Sequence, residues 1–266
     1  MSALTIDLTD GVARLTLNEP QARNALTESL KAALADAVPR LMDDPAVRAL
    51  VRTGAGGAFC AGGDLRSMAA AGADVGVDAW RQRMREVHPW LQRLIGGDKP
   101  VVAAVDGPAY GAGFSLALAA DFIVAAPTAR FCMSFLRVGL VPDFAAMYTL
   151  PRVVGVQRAR ELMLSAREVA APEALSLGLV LEVVPAERLQ DRALALARSF
   201  VGASPLAVGL IRQTVRDALT TDLGRALTVE ADHQALCFET EAHRSAVRRF
   251  LAKEPPAFAF PKPDRP

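Results

Sequence analysis

Two glycine-rich loops supply the residue types and the spacing that fit a chemical role most directly. The first loop, AGG at 61–63, follows an apolar stretch that ends at Thr53, and the second, GAG at 111–113, follows one that ends at Val105. Ligands bind beyond the carboxyl ends of parallel strands, and small residues let a ligand approach the backbone closely. Both loops therefore offer backbone N–H groups to an oxygen that bears negative charge.

The residues after the second loop strengthen this interpretation. The run FSLALAA at 114–120 is apolar on nearly every face, which is typical of a buried helix. The N–H groups of its first turn then have no intrahelical partner and lie at the positive end of the helix dipole. If the two loops are neighbours, the N–H groups of Ala61 and Ala112 hold one oxyanion between them. Taken singly, each loop is also compatible with a simple tight turn.

An acidic side chain, Asp143 in the sequence GLVPDF at 139–144, is the candidate for the other half of the site. Desolvation raises the pKa of a carboxyl group and makes it a better base. Since Asp143 lies at the start of a predicted helix, it also fits the simpler role of an N-cap. The apolar residues expected to surround it are Leu140, Val141, Phe144, Met147 and Phe135.

Other motifs carry less weight. The sequence GFSLA at 113–117 lacks the final glycine of a nucleophile elbow, and no persuasive histidine and aspartate partners follow it. The GAG loop lacks the third glycine and the later acidic residue of a dinucleotide-binding fingerprint. His88, His233 and His243 follow no metal-ligand spacing, so we expect no metal site.

Composition limits the class of protein. With 266 residues, 52% hydrophobic and 22% charged, the chain has material for a large core in one domain or one domain with an appendage. A net charge of +1 gives no support to nucleic-acid or membrane-surface binding. We find neither a membrane-length apolar run nor a signal-peptide pattern. The three cysteines show no C-x-x-C spacing, so we expect reduced thiols and a cytoplasmic location.

The predicted elements alternate between strands and helices and then become helical. We expect a hairpin over 5–17 around Asp10-Gly11, buried strands at 49–53 and 101–105, and a helix capped by Thr27. One long amphipathic helix is predicted over 78–95, after a mobile stretch at 69–77, and another helix over 143–150. This order predicts an α/β core with a helical C-terminal region.

Longer stretches of the chain resemble the enoyl-CoA hydratase/isomerase (crotonase) family. They are PQARNAL at 20–26, AFCAGGDL at 58–65, residues 99–121, GLVPD at 139–143, residues 172–184 and the Ser-Pro pair at 204–205. Together they cover about residues 5–250. The resemblance implies a crotonase-like ββα-superhelix core with a coenzyme A site at 1–200 and a helical trimerisation region at 201–254, before a proline-rich tail at 255–266. It also implies an acyl-CoA substrate, no cofactor, and a homotrimer or hexamer.

The resemblance further implies roles for individual residues. The thioester oxygen would lie between the N–H groups of Ala61 and Ala112, next to Gly111. Ser115 and Phe135 would face the acyl part of the substrate. The residues that match positions lining the coenzyme A channel are Arg23, Ala25, Gly63, Asp64 and Leu65.

The sequence departs from the hydratase pattern at both catalytic carboxylates. Ser115 and Phe135 occupy the positions where hydratases of the family carry glutamates, and hydration normally needs two such groups to activate water and manage a proton. Asp143 instead matches the catalytic aspartate of the phenylacetate-pathway ring-opening isomerases in the family, and the nucleophilic aspartate of aryl-CoA dehalogenases. The glycine pair usual after this aspartate is replaced by alanines at 145–146 behind Phe144, which we expect to narrow the acyl pocket.

We therefore predict an acyl-CoA isomerase that shifts a double bond, or performs a related rearrangement, through an enolate held by the oxyanion hole. Asp143 would carry the proton. The alternatives are a hydratase-like protein of weak activity, a dehalogenase or thioesterase with Asp143 as nucleophile, and a non-catalytic acyl-CoA binder.

Overall fold

The strands of the chain form two sheets in the computed structural model, which describes residues 2–71 and 75–263. A six-stranded sheet has the order β1-β2-β3-β4-β6-β9, and a three-stranded sheet has the order β5-β7-β8. The strands are β1 (Leu4–Thr9), β2 (Val12–Leu17), β3 (Ala49–Gly54), β4 (Val101–Val105), β5 (Pro108–Tyr110), β6 (Phe122–Ala125), β7 (Arg130–Cys132), β8 (Glu168–Ala170) and β9 (Glu182–Val183).

Helices follow most of the strands and dominate residues 186–251. They are α1 (Glu28–Asp43), α2 (Leu65–Ala70), α3 (Val77–Arg85), α4 (His88–Gly96), α5 (Ala112–Leu118), α6 (Ala146–Val154), α7 (Val156–Ser165), α8 (Ala171–Ser176), α9 (Leu189–Ser199), α10 (Pro205–Asp217), α11 (Leu223–Phe238) and α12 (Glu241–Leu251).

The large sheet begins with the predicted hairpin. Strands β1 and β2 pair antiparallel, and the turn residues Asp10 (φ 51°) and Gly11 (φ 76°) both adopt the left-handed conformation that a tight two-residue hairpin turn requires. The remaining strands of this sheet pair in parallel. Parallel strands need helical crossovers that cover both faces of the sheet, which explains why every residue of β4 is buried.

The two faces of the large sheet pack into separate apolar clusters. On one face Leu50 joins the main core, to which α1, α4 and α5 contribute. On the other face Ala49 and Val51 pack against α9. The active-site candidates belong to the first face, because α5 lies in the main core.

The predicted helix over 78–95 is wrong in its continuity. Helix α3 ends at Arg85 and α4 begins at His88. Pro89 causes the break, since it has no N–H to donate and its ring would clash with the carbonyl group four residues earlier. The mobility predicted for 69–77 stays a prediction, because residues 72–74 lie outside the described residues.

The predicted helix over 143–150 begins later than expected. Helix α6 starts at Ala146, and its N-cap residue is Ala145. The helix cannot start earlier because Phe144 (φ 48°) and Ala145 (φ 62°) are both left-handed. Asp143 is therefore outside the helix, and the interpretation of Asp143 as its N-cap is wrong.

The tail at 255–263 contains no helix or strand, but it packs on the body of the protein. The rings of Phe258 and Phe260 lie 5.6 and 6.0 Å from the ring of Phe200. The described cysteines are free thiols. Within 2–71 and 75–263, no group of three or more acidic, histidine or cysteine side chains could hold a metal.

No single described helix is long and apolar enough to cross a membrane. One pair of helical segments, Ala186–Gly202 and Pro205–Thr220, passes that test by length and composition when taken together, but it is bent by 113°.

Candidate active site

Three short segments lie side by side at the carboxyl ends of β3 and β4. The N–H of Leu26 donates to the Gly62 carbonyl oxygen at 2.8 Å. The N–H of Cys60 donates to Pro108 O, and the N–H of Tyr110 donates to Cys60 O, both at 3.0 Å. These hydrogen bonds place the 61–63 loop between the segment around Leu26 and the 111–113 loop.

Two glycines allow the loops to approach each other this closely. A Cβ atom added at Gly62, where φ is +98°, would lie 2.6 Å from Tyr110 O and 3.5 Å from Ala112 N. A Cβ atom at Gly113 would lie 2.2 Å from Cys60 O. The distances of 2.6 and 2.2 Å to backbone oxygens are far below normal van der Waals contact, so side chains are excluded at both positions. The prediction that the two loops are neighbours is confirmed.

The two predicted donors differ in their present hydrogen bonds. Ala112 is the first residue of the wholly buried helix α5, and its N–H has no acceptor in the part of the chain that the structure describes. The N–H of Ala61 instead donates to Arg23 O at 2.9 Å. The sequence predicts two equivalent donors, whereas among the described residues the N–H of Ala112 is free and that of Ala61 is paired.

Asn24 holds the segment that supplies this carbonyl group, a role that the sequence motifs do not reveal. Arg23 and Asn24 are both left-handed, with φ near 50° and 55°. The buried Asn24 side chain donates to Ala55 O at 2.9 Å and Ala58 O at 2.7 Å, and it accepts a bond from Glu19 N at 2.9 Å. Asparagine tolerates the left-handed region better than most residues, which is the only local signal that the sequence carries.

At the two positions where the resemblance to hydratases implies glutamates, one side chain is apolar and the other is bonded to the backbone. Phe135 is buried, and its ring carbons lie 3.9 to 4.0 Å from the position of a Cβ atom at Gly111. Ser115 is also buried, and its hydroxyl donates to Gly111 O at 3.2 Å. Neither position presents a group that can take a proton from water at neutral pH.

Asp143 has the environment of a carboxyl group with an elevated pKa. Its Oδ1 atom is buried without a hydrogen-bond partner among the described residues. Burial raises the pKa of Asp143 to about 6, against smaller lowering effects from its own backbone N–H and from the Lys31 charge. The next residue, Phe144, is buried and packs edge-on against Trp90, with ring centroids 5.8 Å apart.

The apolar surroundings predicted for Asp143 are present only in part. Phe135 and Phe144 are buried as expected. Leu140, Val141 and Met147 are instead 46%, 69% and 52% exposed. These three residues lie at the surface in the single chain, so the desolvation of Asp143 comes from elsewhere.

The residues predicted to line a coenzyme A channel are exposed or half-buried, and they flank the 61–63 loop or belong to it. Arg23 and Leu65 are exposed, whereas Ala25 and Gly63 are half-buried. Asp64 is half-buried and caps α2, because its carboxylate accepts bonds from the backbone N–H groups of residues 66 and 67 at 3.0 and 3.3 Å.

The left-handed conformation of Ala145 leads to a stability prediction. An alanine in this region costs about 1–2 kcal/mol, which exceeds the entropic cost of glycine. Ala145→Gly is therefore expected to raise the free energy of unfolding in urea by about 0.5–1 kcal/mol. The control is Ala146→Gly at the first residue of α6, which should lower that free energy by about 1 kcal/mol because it removes a fully buried methyl group. Equal destabilisation by both variants would contradict the prediction.

The family is identified by comparison with known proteins. A family model described as enoyl-CoA hydratase/isomerase matches residues 7–260. The match spans nearly the whole chain, and the protein belongs to this family. Its fold is the crotonase fold, since the enoyl-CoA hydratase/isomerase of Cupriavidus metallidurans CH34 superposes with a TM-score of 0.93, at 41% identity and 98% coverage of both chains.

Relatives with described activities include both an isomerase and hydratases. The 1,2-epoxyphenylacetyl-CoA isomerase of Escherichia coli (strain K12) is 38% identical over 248 residues, which cover 93% of this chain and 95% of that protein. The crotonyl-CoA hydratase of Syntrophomonas wolfei is 35% identical, and the match covers 94% of this chain and 95% of that protein. Enzymes of more than one reaction type are thus similar to this chain at comparable levels.

Proposed function

We propose that this protein is an acyl-CoA isomerase that shifts a double bond in a coenzyme A thioester, with Asp143 as the proton carrier. The observation that supports this proposal best is the half-buried Asp143 carboxyl group, whose Oδ1 atom is buried without a partner among residues 2–71 and 75–263 and whose pKa is raised to about 6. A base with a pKa just below neutral pH is mostly unprotonated in the cell and still able to return its proton.

The proposed reaction needs one base and one anion-stabilising group. The Asp143 carboxylate removes a proton from C2 of the 3-enoyl-CoA, the carbon between the thioester carbonyl group and the double bond. The electron pair of the broken C–H bond forms a C1–C2 double bond, and the electrons of the carbonyl double bond move to the thioester oxygen as negative charge. The N–H of Ala112, at the positive end of α5, donates to that oxygen. Protonated Asp143 then returns the proton to a different carbon, and the double bond has moved.

Hydration is the competing reaction, and two side chains argue against it. The Ser115 hydroxyl is bonded to Gly111 O, and the Phe135 ring adjoins the same glycine. A phenyl ring excludes water from that wall, and a serine without a neighbouring base cannot activate water. The absence of both carboxylates therefore favours isomerisation.

Incubation with a 3-enoyl-CoA in deuterated water tests the proposal. We expect conversion to the 2-enoyl-CoA, with deuterium entering at the exchanging carbons and with little 3-hydroxyacyl-CoA, as measured by mass spectrometry. In parallel, crotonyl-CoA should be hydrated at least about 100-fold more slowly than by a relative that carries both glutamates.

Each alternative function gives a different result in this assay. Formation of 3-hydroxyacyl-CoA at ordinary enzymatic rates would indicate a hydratase and an unidentified base for water. Release of free coenzyme A would indicate a thioesterase, and release of halide from a halogenated aryl-CoA would indicate a dehalogenase. Binding of every thioester without exchange or product would indicate a non-catalytic binder.

We also propose a trimer or hexamer. The helices after Pro205 carry large apolar side chains that one subunit leaves exposed; examples are Leu206, Ile211, Val215, Leu219, Leu223 and Phe250. Large exposed apolar side chains in this number favour an interface with another protein surface. Light scattering on the purified protein measures the number of subunits, and a monodisperse monomer at micromolar concentration would contradict the proposal.

A further inference from the structure

Arg52 places a charged side chain inside the main apolar core. It lies on β3 and is 2% exposed. One Nη atom donates to Leu116 O, whereas Nε and the other Nη are buried without partners among the described residues. Buried arginines are normally paired with carboxylates, yet among the described residues the Arg52 guanidinium bonds only to a backbone carbonyl oxygen and has no carboxylate partner.

The positive charge of Arg52 is not neutralised by its other polar neighbour. Burial lowers the pKa of Arg52 to about 9, so the guanidinium stays protonated at neutral pH. Burial also raises the pKa of the neighbouring Cys60 thiol to about 12, so Cys60 stays uncharged. The core behind the candidate site therefore carries one net positive charge.

This charge lies behind both segments that supply the predicted oxyanion donors. Its hydrogen-bond acceptor, Leu116, is on α5, four residues after Ala112, which corresponds to about 6 Å along the helix axis. Its electrostatic neighbour Cys60 directly precedes Ala61 in the chain. A cation at the carboxyl-terminal turn of a helix also complements the helix dipole.

We propose that Arg52 is a positioning residue of the oxyanion hole, which anchors the last turn of α5 and favours negative charge on the thioester oxygen from behind. The inference rests on the proposed function, because it requires that an enolate forms. At a separation on the order of 10 Å and an effective dielectric constant of about 20, one unit charge changes a rate on the order of tenfold. The effect acts on the anionic state more than on the neutral bound thioester.

Arg52→Met removes the charge and keeps a long unbranched side chain in an apolar environment. We expect the rate of deuterium exchange into a 3-enoyl-CoA to fall about tenfold, with KM changed by less than about twofold. The free energy of unfolding should stay constant or rise, because an unpaired buried charge is removed.

Arg192→Met is the matched control. Arg192 is also largely buried, but its Nε atom pairs with the carboxylate of Glu182 at 2.7 Å, on the opposite face of the sheet from Arg52. We expect this variant to lose stability, since it removes the ion pair with Glu182 and the hydrogen bond from Arg192 to Lys262 O, and to keep the wild-type exchange rate. Arg52→Met is thus expected to lower the exchange rate without loss of stability, and Arg192→Met to lower stability without loss of the exchange rate.

Arg52→Gln removes the charge but keeps a hydrogen-bond donor, and it replaces Arg52→Met as the test if that variant is unstable. A fall of about tenfold in the exchange rate of Arg52→Gln supports the electrostatic role. Wild-type exchange in either folded Arg52 variant, or a rate that falls only in proportion to lost stability, would overturn it. Absence of exchange in the wild-type protein would instead refute the proposed function, so the two failures are distinguishable.

Discussion

Asp143→Asn is expected to lower the rate of double-bond isomerisation by about 10²- to 10⁴-fold, the usual contribution of a general acid–base group. Asparagine has nearly the same shape as aspartate, but it cannot accept the proton. Thioester affinity should remain nearly intact, because the oxyanion donors are backbone groups. Calorimetry with a non-reactive acyl-CoA measures the affinity, and an isomerisation assay measures the rate. Loss of thioester binding caused by Asp143→Asn alone would mean that Asp143 has a structural role.

The pH dependence of the wild-type protein follows from the pKa of Asp143, which is raised to about 6. The base must be unprotonated, so kcat/KM should be level above this value and fall about tenfold per pH unit below it. A rate that stays constant from pH 5 to pH 8 would exclude Asp143 as the base.

The same pKa shift predicts that the Asp143→Asn variant is more stable than the wild type. The folded protein binds the Asp143 proton more tightly than the unfolded chain does. Its stabilising contribution is therefore complete below the unfolded pKa of about 4 and is lost as the pH rises through about 6. At pH 8, where the wild type holds a desolvated charge, Asp143→Asn should raise the free energy of unfolding by about 1–3 kcal/mol. Urea unfolding at pH 4 and pH 8 checks this, and the difference should shrink at pH 4.

Ala112→Pro is expected to reduce turnover by about 10²- to 10³-fold, the range found when one oxyanion donor is removed. Ala112 is the first residue of α5, and proline is well tolerated at that helix position because the N–H there has no intrahelical acceptor. The substitution therefore removes the donor that the structure leaves free and keeps the helix.

Ala112→Gly is the matched control, since it keeps the N–H and should retain most of the turnover. Both variants should be compared by thermal unfolding, because a misplaced α5 would lower the melting temperature together with the rate. Unchanged turnover in a stably folded Ala112→Pro protein would contradict the assignment of this N–H to the oxyanion.

The sequence predicts the two loops and the buried helix because glycines and apolar runs are local signals. Gly62 and Gly113 are needed where backbones meet, and the run at 114–120 can only be buried. The raised pKa of Asp143 is also expected from the sequence, since the residue lies among apolar residues, although three of the five expected neighbours are exposed.

The features that escape prediction depend on contacts between distant segments. The acceptor for the Ala61 N–H is Arg23 O, and its position depends on how Asn24 bonds to residues 55 and 58. The left-handed backbone of Phe144 and Ala145 contradicts their local preference, so tertiary packing imposes it. The sequence places Arg52 in a strand that is expected to be buried, but its hydrogen-bond acceptor, Leu116 O, belongs to a distant helix and cannot be predicted from the strand.

The N–H of Ala61 already donates to Arg23 O. A substrate oxygen can therefore accept this hydrogen bond only by replacing the Arg23 carbonyl oxygen as the acceptor. A neutral thioester oxygen is no stronger an acceptor than the peptide oxygen that already holds this N–H, so its binding gains little there. An enolate oxygen carries negative charge and is a much stronger acceptor. Under the proposed mechanism, the paired donor therefore discriminates between the bound ground state and the reaction intermediate. Its contribution would raise kcat and leave KM almost unchanged.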